Sequence, residues 1–252
     1  MDKLSRRDVL QISGAAMAGA MLSAEKSNAE TAPPKKKIIV AGAHPDDPET
    51  GCGGLMARLA QAGHEVVAAY LTRGEAGIPG TPYDEAAAIR TKEAEQACAI
   101  LGARPAFLGQ IDGSAEITPQ RYKDINTFFE KEKPDLVLTH WPVDTHRDHR
   151  ICSILVYDAW LNLGRSFALN YYEVMAGIQT QNFTPTDYVD ITTVREQKHK
   201  ACFVHVSQGI REMYDNEHGK MEAFRGLEGG FKYAESYIKH NQSIDLSLNG
   251  LL

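Results

Sequence analysis

Two short clusters of imidazole and carboxylate side chains are the part of this 252-residue chain best suited to chemistry. The first, at 43–49, reads Ala-His-Pro-Asp-Asp-Pro-Glu, and the second, at 140–149, reads His-Trp-Pro-Val-Asp-Thr-His-Arg-Asp-His. Imidazole nitrogens and carboxylate oxygens bind divalent metal ions, and carboxylates also transfer protons. His146 and His149 are three residues apart, so on a helix they share one face. The two clusters together predict a mixed nitrogen–oxygen metal site.

Each cluster follows a short apolar run that is typical of a buried β-strand. Residues 38–41 precede the first cluster and residues 136–139 precede the second. Because the carboxyl ends of parallel strands meet at one edge of a sheet, we expect the clusters to converge there. Taken singly, the acids of the first cluster could cap a helix, and the histidines of the second could start a solvated helix. Two such clusters at two strand ends favour a functional site.

Strand-like and helix-like segments alternate along the chain, with Gly and Pro at their ends. Strands are predicted at Lys37–Ala41, Glu65–Leu71, Ala106–Leu108 and Leu136–Thr139. Helices are predicted at Glu49–Ala62, Asp84–Leu101, Pro119–Lys131 and Arg147–Leu163. This alternation predicts a single α/β domain, with a Rossmann-like, mainly parallel sheet and helices on both faces. Beyond residue 163 the pattern weakens, with strands expected at Tyr171–Met175 and Tyr188–Ile191 and helices at Thr193–Phe203 and Ser207–Phe224.

The N-terminal residues carry the three parts of a twin-arginine export signal in the right order. A twin arginine lies in Ser5–Gln11, a weakly apolar stretch follows at Ile12–Ala24, and Ser27-Asn28-Ala29 resembles a cleavage site. We predict a signal at 1–29, a linker at 30–36, an enzyme domain at 37–252, and a periplasmic or extracellular protein. A disordered basic N-terminus and an uncleaved amphipathic anchor are the alternatives. The apolar stretch is too short and too rich in glycine for a stable membrane anchor.

Composition excludes some partners and linkages. The formal net charge is −6, from 27 basic and 33 acidic residues. An acidic chain without a basic stripe argues against a nucleic-acid partner. The cysteines are widely spaced and form no C-x-x-C pair, so we expect small buried apolar residues and no disulfide framework. They are Cys52, Cys98, Cys152 and Cys202.

The two clusters resemble those of the PIG-L/LmbE-like family of zinc-dependent deacetylases. Ala43-His44-Pro45-Asp46-Asp47 matches the A-H-P-D-D signature of that family, and His146-Arg147-Asp148-His149 matches its later H-x-D-H element. Segments 71–77 and 90–93 between them are also similar, and the resemblance extends from about Lys37 into the C-terminal third. It implies a Rossmann-like sheet and a mononuclear zinc held by His44, Asp47 and His149. Fe²⁺ and Co²⁺ also suit these ligand types.

The same resemblance implies roles for the other residues of the clusters. Asp46 would be the general base, and His146 would stabilise the oxyanion of the reaction. Asp148 would orient His146, as a carboxylate beside an imidazole often does. His140 and Asp144, which flank these residues, fit either a supporting role or a structural one.

Three further residues are candidate substrate contacts. The resemblance assigns Arg90 and Asp112 to the polar part of a substrate. An ion pair with Glu93 on the same helix face would equally explain Arg90, and the turn-forming sequence around Asp112 would explain that residue. Arg73 follows the second strand in a glycine-rich loop, where it is either a rim contact or a surface charge.

The resemblance implies a hydrolase that removes an acetyl or other acyl group from the amide nitrogen of an amino sugar or glycoconjugate, using metal-activated water. Two alternatives remain: an amidase acting on a larger acyl group or thiol conjugate, and a zinc-bearing glycan-binding protein without turnover. An intact Asp46 argues against the second. The expected partner is a small N-acetylated sugar or glycoconjugate, and a homo-oligomer is compatible with the sequence. Pro48 separates Asp47 from Glu49, unlike in some relatives, and leaves the role of Glu49 open.

Overall fold

The chain follows the predicted alternation of strands and helices as far as the fifth strand. The structure is a computed structural model that describes residues 34–175 and 177–252. Lys35–Leu252 forms one compact unit. The predicted export signal and residues 30–33 of the predicted linker lie outside the described residues. Among the described residues, no helix is both long and apolar enough to cross a membrane.

The first part of the unit consists of four strands, each followed by a helix. These elements are β1 (Lys37–Gly42), α1 (Asp47–Gln61), β2 (Glu65–Thr72), α2 (Tyr83–Leu101), β3 (Arg104–Gln110), α3 (Pro119–Glu132), β4 (Leu136–His140) and α4 (Arg147–Asn162). The second part is less regular. It contains β5 (Ala168–Tyr172), β6 (Asp187–Asp190), α5 (Arg195–Cys202), the short α6 (Ile210–Met213), α7 (Gly219–Gly229) and β7 (Ala234–Lys239).

Within the described residues, seven strands form one sheet in the order β3-β2-β1-β4-β5-β7-β6. The first five strands in this order pair in parallel, and β7 runs antiparallel to both β5 and β6. The predicted α/β fold with a mainly parallel sheet is therefore confirmed. β1 and β4 are direct neighbours, with Ala41 opposite Thr139. Since one sequence cluster follows each of these strands, the two clusters start side by side.

Helices cover both faces of the sheet, as predicted. On one face, α1 and α2 pack on alternate residues of β1 and β2, such as Val40 and Ala68. On the other face, α3 and α4 pack on the intervening residues, such as Ile39 and Val67. Each central strand is thus buried on both sides, which explains its continuous apolar sequence. All four thiols are buried and free within the described chain, as expected.

The C-terminal third departs from the prediction in its details. The segment expected to be helical at Ser207–Phe224 is helical from Ile210 onwards, but it follows a 3₁₀ turn at Val206–Gln208 and contains a π-helical turn at Tyr214–His218 between α6 and α7. Gly209, with φ of 63°, ends the 3₁₀ turn in the left-handed region that glycine adopts at low cost. Strand β7 was not predicted, although two glycines at 229–230 and the β-branched Ile238 are signals for it.

A buried charge network joins this irregular part to α1. The ammonium of Lys198 lies 3.1 Å from a carboxylate oxygen of Glu222 and 2.8 Å from one of Glu235. The Glu235 carboxylate also accepts hydrogen bonds from the backbone N–H groups of Gly54 and Leu55 in α1. Burial alone would raise the pKa of Glu222, but Lys198 and His199 hold it well below its ordinary value of 4.5.

We predict that this network makes stability fall in acid. Because the folded-state pKa of Glu222 is depressed, its contribution is fully present above about pH 4.5 and is lost as pH falls further. Carboxylates hold the pKa of Lys198 above its ordinary value, although burial would lower it, so its charge is constant over this range. Glu222→Gln should lower the free energy of unfolding by roughly 3 kcal/mol at pH 7, because a buried charge pair is broken. Urea denaturation between pH 3 and 7 measures both effects.

The exposed Glu130→Gln on α3 is the matched control and should change little. In Glu222→Gln the stability should depend less steeply on pH below about 4.5 than in wild type. Identical pH slopes for the two variants would contradict this account of the network.

Candidate functional site

Both sequence clusters occupy turns that lead from a central strand into a helix. Residues 43–46 connect β1 to α1, whose N-cap is Asp46. Residues 141–146 connect β4 to α4, whose N-cap is His146. The first turns of the two helices line a cavity of about 410 Å³, which lies at the carboxyl edge of the parallel strands. The convergence expected from topology is therefore present in the structure.

The carboxylate of Asp47 lies at the centre of the site. One oxygen is 3.2 Å from His44 Nδ1 and the other is 3.3 Å from His149 Nε2. The first oxygen also lies 3.4 Å from His140 Nε2 and accepts a hydrogen bond from the backbone N–H of His44. Asp47 is only 4% exposed, so this charge has little access to water. Burial would raise the pKa of Asp47, but His149 and His140 lower it well below 3.8.

The carboxylates around His44 and His149 raise the pKa of both imidazoles and so favour their positively charged forms. Burial would lower the pKa of His44, but Asp112, Asp148 and Asp47 raise it well above 6.5. Burial would likewise lower the pKa of His149, but Asp47 and Asp144 raise it to about 9. Without another cation, the buried carboxylates therefore hold protons on these rings. A divalent ion at the same place would supply that charge and release the protons.

His140 contacts both His149 and the turn that follows β1. Its ring stacks on that of His149, with centroids 3.9 Å apart and planes 13° from parallel. Its Nε2 accepts a hydrogen bond from the backbone N–H of Ala43 at 3.0 Å. Burial and the neighbouring His149 lower the pKa of His140 to about 4. A neutral His140 fits both its donor at Ala43 and its stack on a neighbouring ring.

The second nitrogen of His149 is held by polar partners from two loops. His149 Nδ1 lies 3.4 Å from a carboxylate oxygen of Asp144 and 3.0 Å from the Gln179 side-chain nitrogen. Thr180 donates a hydrogen bond to the same Asp144 oxygen at 3.0 Å. These contacts fix the ring so that Nε2 faces Asp47. Carboxylate and amide partners of this kind are usual behind a metal-binding histidine.

Asp112 and Asp148 hold the second nitrogen of His44. His44 Nε2 lies 3.1 Å from Asp112 Oδ1 and 3.4 Å from Asp148 Oδ2. The backbone N–H of Gly113 donates to the same Asp148 oxygen at 2.8 Å. A proton on Nε2 leaves the Nδ1 lone pair of His44 directed towards the Asp47 side, where a metal would bind.

The sequence prediction for Asp148 needs a correction. The structure places its carboxylate on His44, and Asp148 contacts His146 through its backbone, whose N–H lies 3.3 Å from His146 Nδ1. The reason is geometric, since a residue in the first turn of α4 directs its backbone N–H at the N-cap side chain. Asp112 lines the cavity, as a substrate contact would, but its carboxylate also faces His44.

Asp46 and Arg90 form a pair in the cavity wall. Arg90 Nη2 lies 3.0 Å from Asp46 Oδ2 and also donates to the carbonyl oxygen of Pro45. Burial raises the pKa of Asp46 to about 6, and Arg90 opposes this rise. Arg90 is 3% exposed, and its carboxylate partners are Asp46 and, at 3.9 Å, Asp112, while Glu93 accepts hydrogen bonds from Ser207. The alternative of an Arg90–Glu93 ion pair is therefore wrong.

Arg73 has no place in the cavity wall. Its side chain is exposed and donates to Thr91 Oγ1 at 2.9 Å and to the carbonyl oxygen of Ala87 at 3.5 Å, both on α2. Arg73 therefore ties the loop after β2 to α2, which corrects the expected substrate contact.

Several residues of the cavity wall were not predicted from the sequence. They are Thr50, Ala76, Gly77, Val174, Met175, Gln179, Gln208, Ile210, Met213 and His218. Seven of these ten come from the segments after β5 and after α5, where no motif marks them. Gln208 contacts the wall directly, because its amide donates to the carbonyl oxygen of Gly77 at 3.1 Å.

The donor set suits a borderline-soft divalent ion. One nitrogen each from His44, His146 and His149 lies within 4.8 Å of the others, and so do ligand atoms of Asp47, His140 and His149. The three residues suggested by the sequence, His44, Asp47 and His149, are joined by contacts through the Asp47 carboxylate. Imidazole and carboxylate ligands are compatible with Zn²⁺, Fe²⁺ and Co²⁺.

Comparison with known proteins finds similarity to de-N-acetylases. A family model described as PIG-L, GlcNAc-PI de-N-acetylase, matches residues 39–160. Diacetylchitobiose deacetylase from Thermococcus kodakarensis is 30% identical over 222 residues, which is 79% of this chain and 81% of that protein. A 1D-myo-inositol 2-acetamido-2-deoxy-alpha-D-glucopyranoside deacetylase from Corynebacterium diphtheriae is 31% identical over 141 residues, 45% of this chain and 48% of that protein.

A solved structure extends the likeness to nearly the whole chain. N,N'-diacetylchitobiose deacetylase from Pyrococcus horikoshii superposes with a TM-score of 0.73 at 26% identity, over 95% of this chain and 94% of that one. The chain belongs to the PIG-L family of de-N-acetylases. The predicted family is confirmed, and with it the class of enzyme, an N-acyl amide hydrolase.

We predict that metal binding depends on His149 and on the carboxylate behind it. His149→Ala should abolish retention of a divalent ion, because it removes one of the three predicted ligands. Asp144→Asn should weaken binding by about 10–100-fold, since it loosens the orientation of His149. Elemental analysis of purified protein and titration with Zn²⁺ after chelation measure these effects.

His240→Ala is the control, because the ring of His240 packs at a tilt against Trp160, outside the site. It should bind metal as wild type does. Full metal content in His149→Ala would show that another residue, such as His140 or His146, supplies the ligand.

Proposed function

We propose that this protein is a zinc-dependent hydrolase that removes an acetyl group from the amide nitrogen of an amino sugar or glycoconjugate. The observation that carries the proposal is the placement of Asp46. Its carboxylate opens into the same cavity as His44, Asp47, His149 and His146, and it is not itself part of the group around Asp47. A proton acceptor beside a metal site, but separate from its ligands, is what hydrolysis by water requires.

The metal would be held by His44, Asp47 and His149. When bound, Zn²⁺ polarises an amide carbonyl and lowers the pKa of water to about 7. Fe²⁺ and Co²⁺ remain alternatives for the native ion, because the ligand types accept them.

Asp46 carries the proton in this proposal. Its carboxylate takes a proton from the attacking water and returns it to the amide nitrogen, which leaves as an amine. Arg90, 3.0 Å away, holds the carboxylate in one orientation in the cavity wall. The same residue can serve in both steps because attack and departure occur at the same carbon atom.

His146 stabilises the oxyanion that forms on the carbonyl oxygen. Its Nδ1 accepts the backbone N–H of Asp148 at 3.3 Å, so in the neutral ring the proton lies on Nε2. Burial and the neighbouring His44 and His149 lower the pKa of His146, which favours this neutral form. A donor whose orientation is set before the reaction is worth several kcal/mol in an enclosed site.

The cavity wall supports a neutral, polar substrate. Gln179 and Gln208 offer side-chain amides for hydroxyl groups, and Met175, Ile210 and Met213 offer apolar surface for the face of a sugar ring. Relatives named as diacetylchitobiose and inositol-glucopyranoside deacetylases act on N-acetylated sugars, which supports the same substrate class here. An amidase for a larger acyl group or a thiol conjugate, and a glycan-binding protein without turnover, are the alternatives that substrate assays separate.

We also propose export by the twin-arginine route, on the basis of the signal-like residues before Ala29. That route carries folded proteins, which suits an enzyme that acquires its metal before export. Cell fractionation and N-terminal sequencing of the mature protein provide the test. A start at Glu30 in an exported fraction would agree with the proposal, and an intact N-terminus in the cytosol would contradict it.

We predict that Asp46→Asn lowers kcat by about 10²–10⁴-fold, because the amide cannot accept the proton. Metal content and folding should match wild type, since Asp46 is not one of the proposed ligands. Acetate release from N-acetylglucosamine and from diacetylchitobiose, with zinc-loaded protein, is the measurement.

Asp84→Asn, at the exposed start of α2, is the matched control and should keep full activity. If wild-type protein released no acetate from such sugars with Zn²⁺, Fe²⁺ or Co²⁺, the deacetylase proposal would be wrong. Turnover of longer acyl amides alone would favour the amidase.

A further inference from the structure

Asp46 has an unusual backbone for a residue with a side chain. Its φ is 114° and its ψ is −30°, in a region that L-residues other than glycine rarely adopt. Asp46 is followed directly by Asp47, and the two carboxylates face different partners. Asp47 faces the imidazoles, and Asp46 faces Arg90 and the cavity. This strained backbone directs the carboxylates of Asp46 and Asp47 apart. Other residues must therefore stabilise the conformation of Asp46.

Glu49 is the side chain best placed to do so. Its Oε2 accepts the backbone N–H of Asp46 at 3.2 Å. Its Oε1 accepts the hydroxyl hydrogen of Tyr70, on β2, and lies 3.4 Å from Nε2 of His205, in the segment after α5. Glu49, Tyr70 and His205 are all fully buried. The carboxylate is therefore fixed by two separate parts of the fold and in turn fixes the peptide N–H of Asp46.

We propose that Glu49 is the positioning residue of the general base. It holds Asp46 in the strained conformation that directs its carboxylate into the cavity. The inference rests on the proposed function, in which Asp46 moves the proton. Glu49 is absent from the cavity wall and from the candidate metal-binding groups of the described chain, so it acts on the reaction through Asp46.

Pro48 explains why Glu49 reaches Asp46. With Asp46 as the N-cap, Glu49 is the third residue of α1, the position from which a Glu or Gln side chain reaches back to the N-cap N–H. Pro48 places Glu49 there, and its missing N–H costs nothing in the first turn of a helix. The insertion that left the role of Glu49 open in the sequence thus provides its contact with Asp46.

The test is a double-mutant cycle between Glu49 and Asp46. Glu49→Ala should lower kcat by about 10–100-fold with KM and metal content unchanged, because a misdirected base reacts poorly. Glu49→Gln retains an acceptor for the Asp46 N–H and should recover most of the activity. In the Asp46→Asn background, Glu49→Ala should cause no further loss, since the group that it positions is already gone.

The cycle separates positioning from a merely structural role. A structural residue would lower the melting temperature, leave kcat of the folded enzyme intact, or lower kcat equally in both backgrounds. Either of the last two results would overturn the proposal. If Glu49→Ala does not fold, Tyr70→Phe removes one partner of the same carboxylate and should lower kcat by roughly 2–10-fold, again only when Asp46 is present.

A crystallographic readout keeps the inference independent of turnover. In Glu49→Ala the φ of residue 46 should leave the positive region, and in Glu49→Gln it should stay there. An unchanged φ at Asp46 in Glu49→Ala would overturn the proposal. If wild-type protein is inactive on every amide tested, the proposed function fails, and the φ of residue 46 still decides whether Glu49 positions Asp46.

Discussion

The buried carboxylate of Asp47 is the interaction on which the rest of the site depends. A carboxylate that is 4% exposed is costly unless opposite charges or donors surround it. Here the rings of His44 and His149 and the backbone N–H of His44 surround it, and a second layer of carboxylates from Asp112, Asp144 and Asp148 stabilises positive charge on those two rings. The outer side chains are oriented by backbone N–H groups and by Thr180. The acidic and basic groups therefore form one connected arrangement, in which a cation can replace the protons that the rings hold.

This arrangement exists because β1 and β4 are neighbours in the sheet. Their pairing places Ala41 opposite Thr139, so each strand delivers its cluster to the same edge within a few residues. The helices that follow start immediately, and both N-caps, Asp46 and His146, lie beside the cavity. Helix N-termini also favour negative charge, which lowers the cost of the carboxylates there. The positions of the proposed reacting groups thus follow from strand pairing and helix starts, both of which are rigid parts of the fold.

Much of this could be predicted from the sequence, for reasons that particular residues make clear. The apolar runs before His44 and His140 identify buried strands, and two strand ends with imidazoles and acids predict a shared site. The direction of the Asp148 carboxylate could not be predicted, because it depends on Gly113 in a distant loop and on the first turn of α4. The irregular segment around Gly209 was also missed. Its conformation follows from a left-handed glycine and tertiary contacts such as Glu93 with Ser207, which leave no periodic pattern.

The adjacency of Asp46 and Asp47 explains why the site combines rigidity with local strain. Asp46 is the N-cap and lies outside the regular helix, so the direction of its carboxylate relative to that of Asp47 is set by its own φ of 114° and not by the helical step of about 100° between residues. A residue held in a sparsely populated region costs about 1–3 kcal/mol, and it persists only where the surroundings determine it. Glu49, Arg90 and the start of α1 supply that determination. The proposed metal ligand Asp47 and the proposed proton carrier Asp46 can then be adjacent in sequence and still face different partners, because contacts outside the cavity stabilise the strained backbone of Asp46.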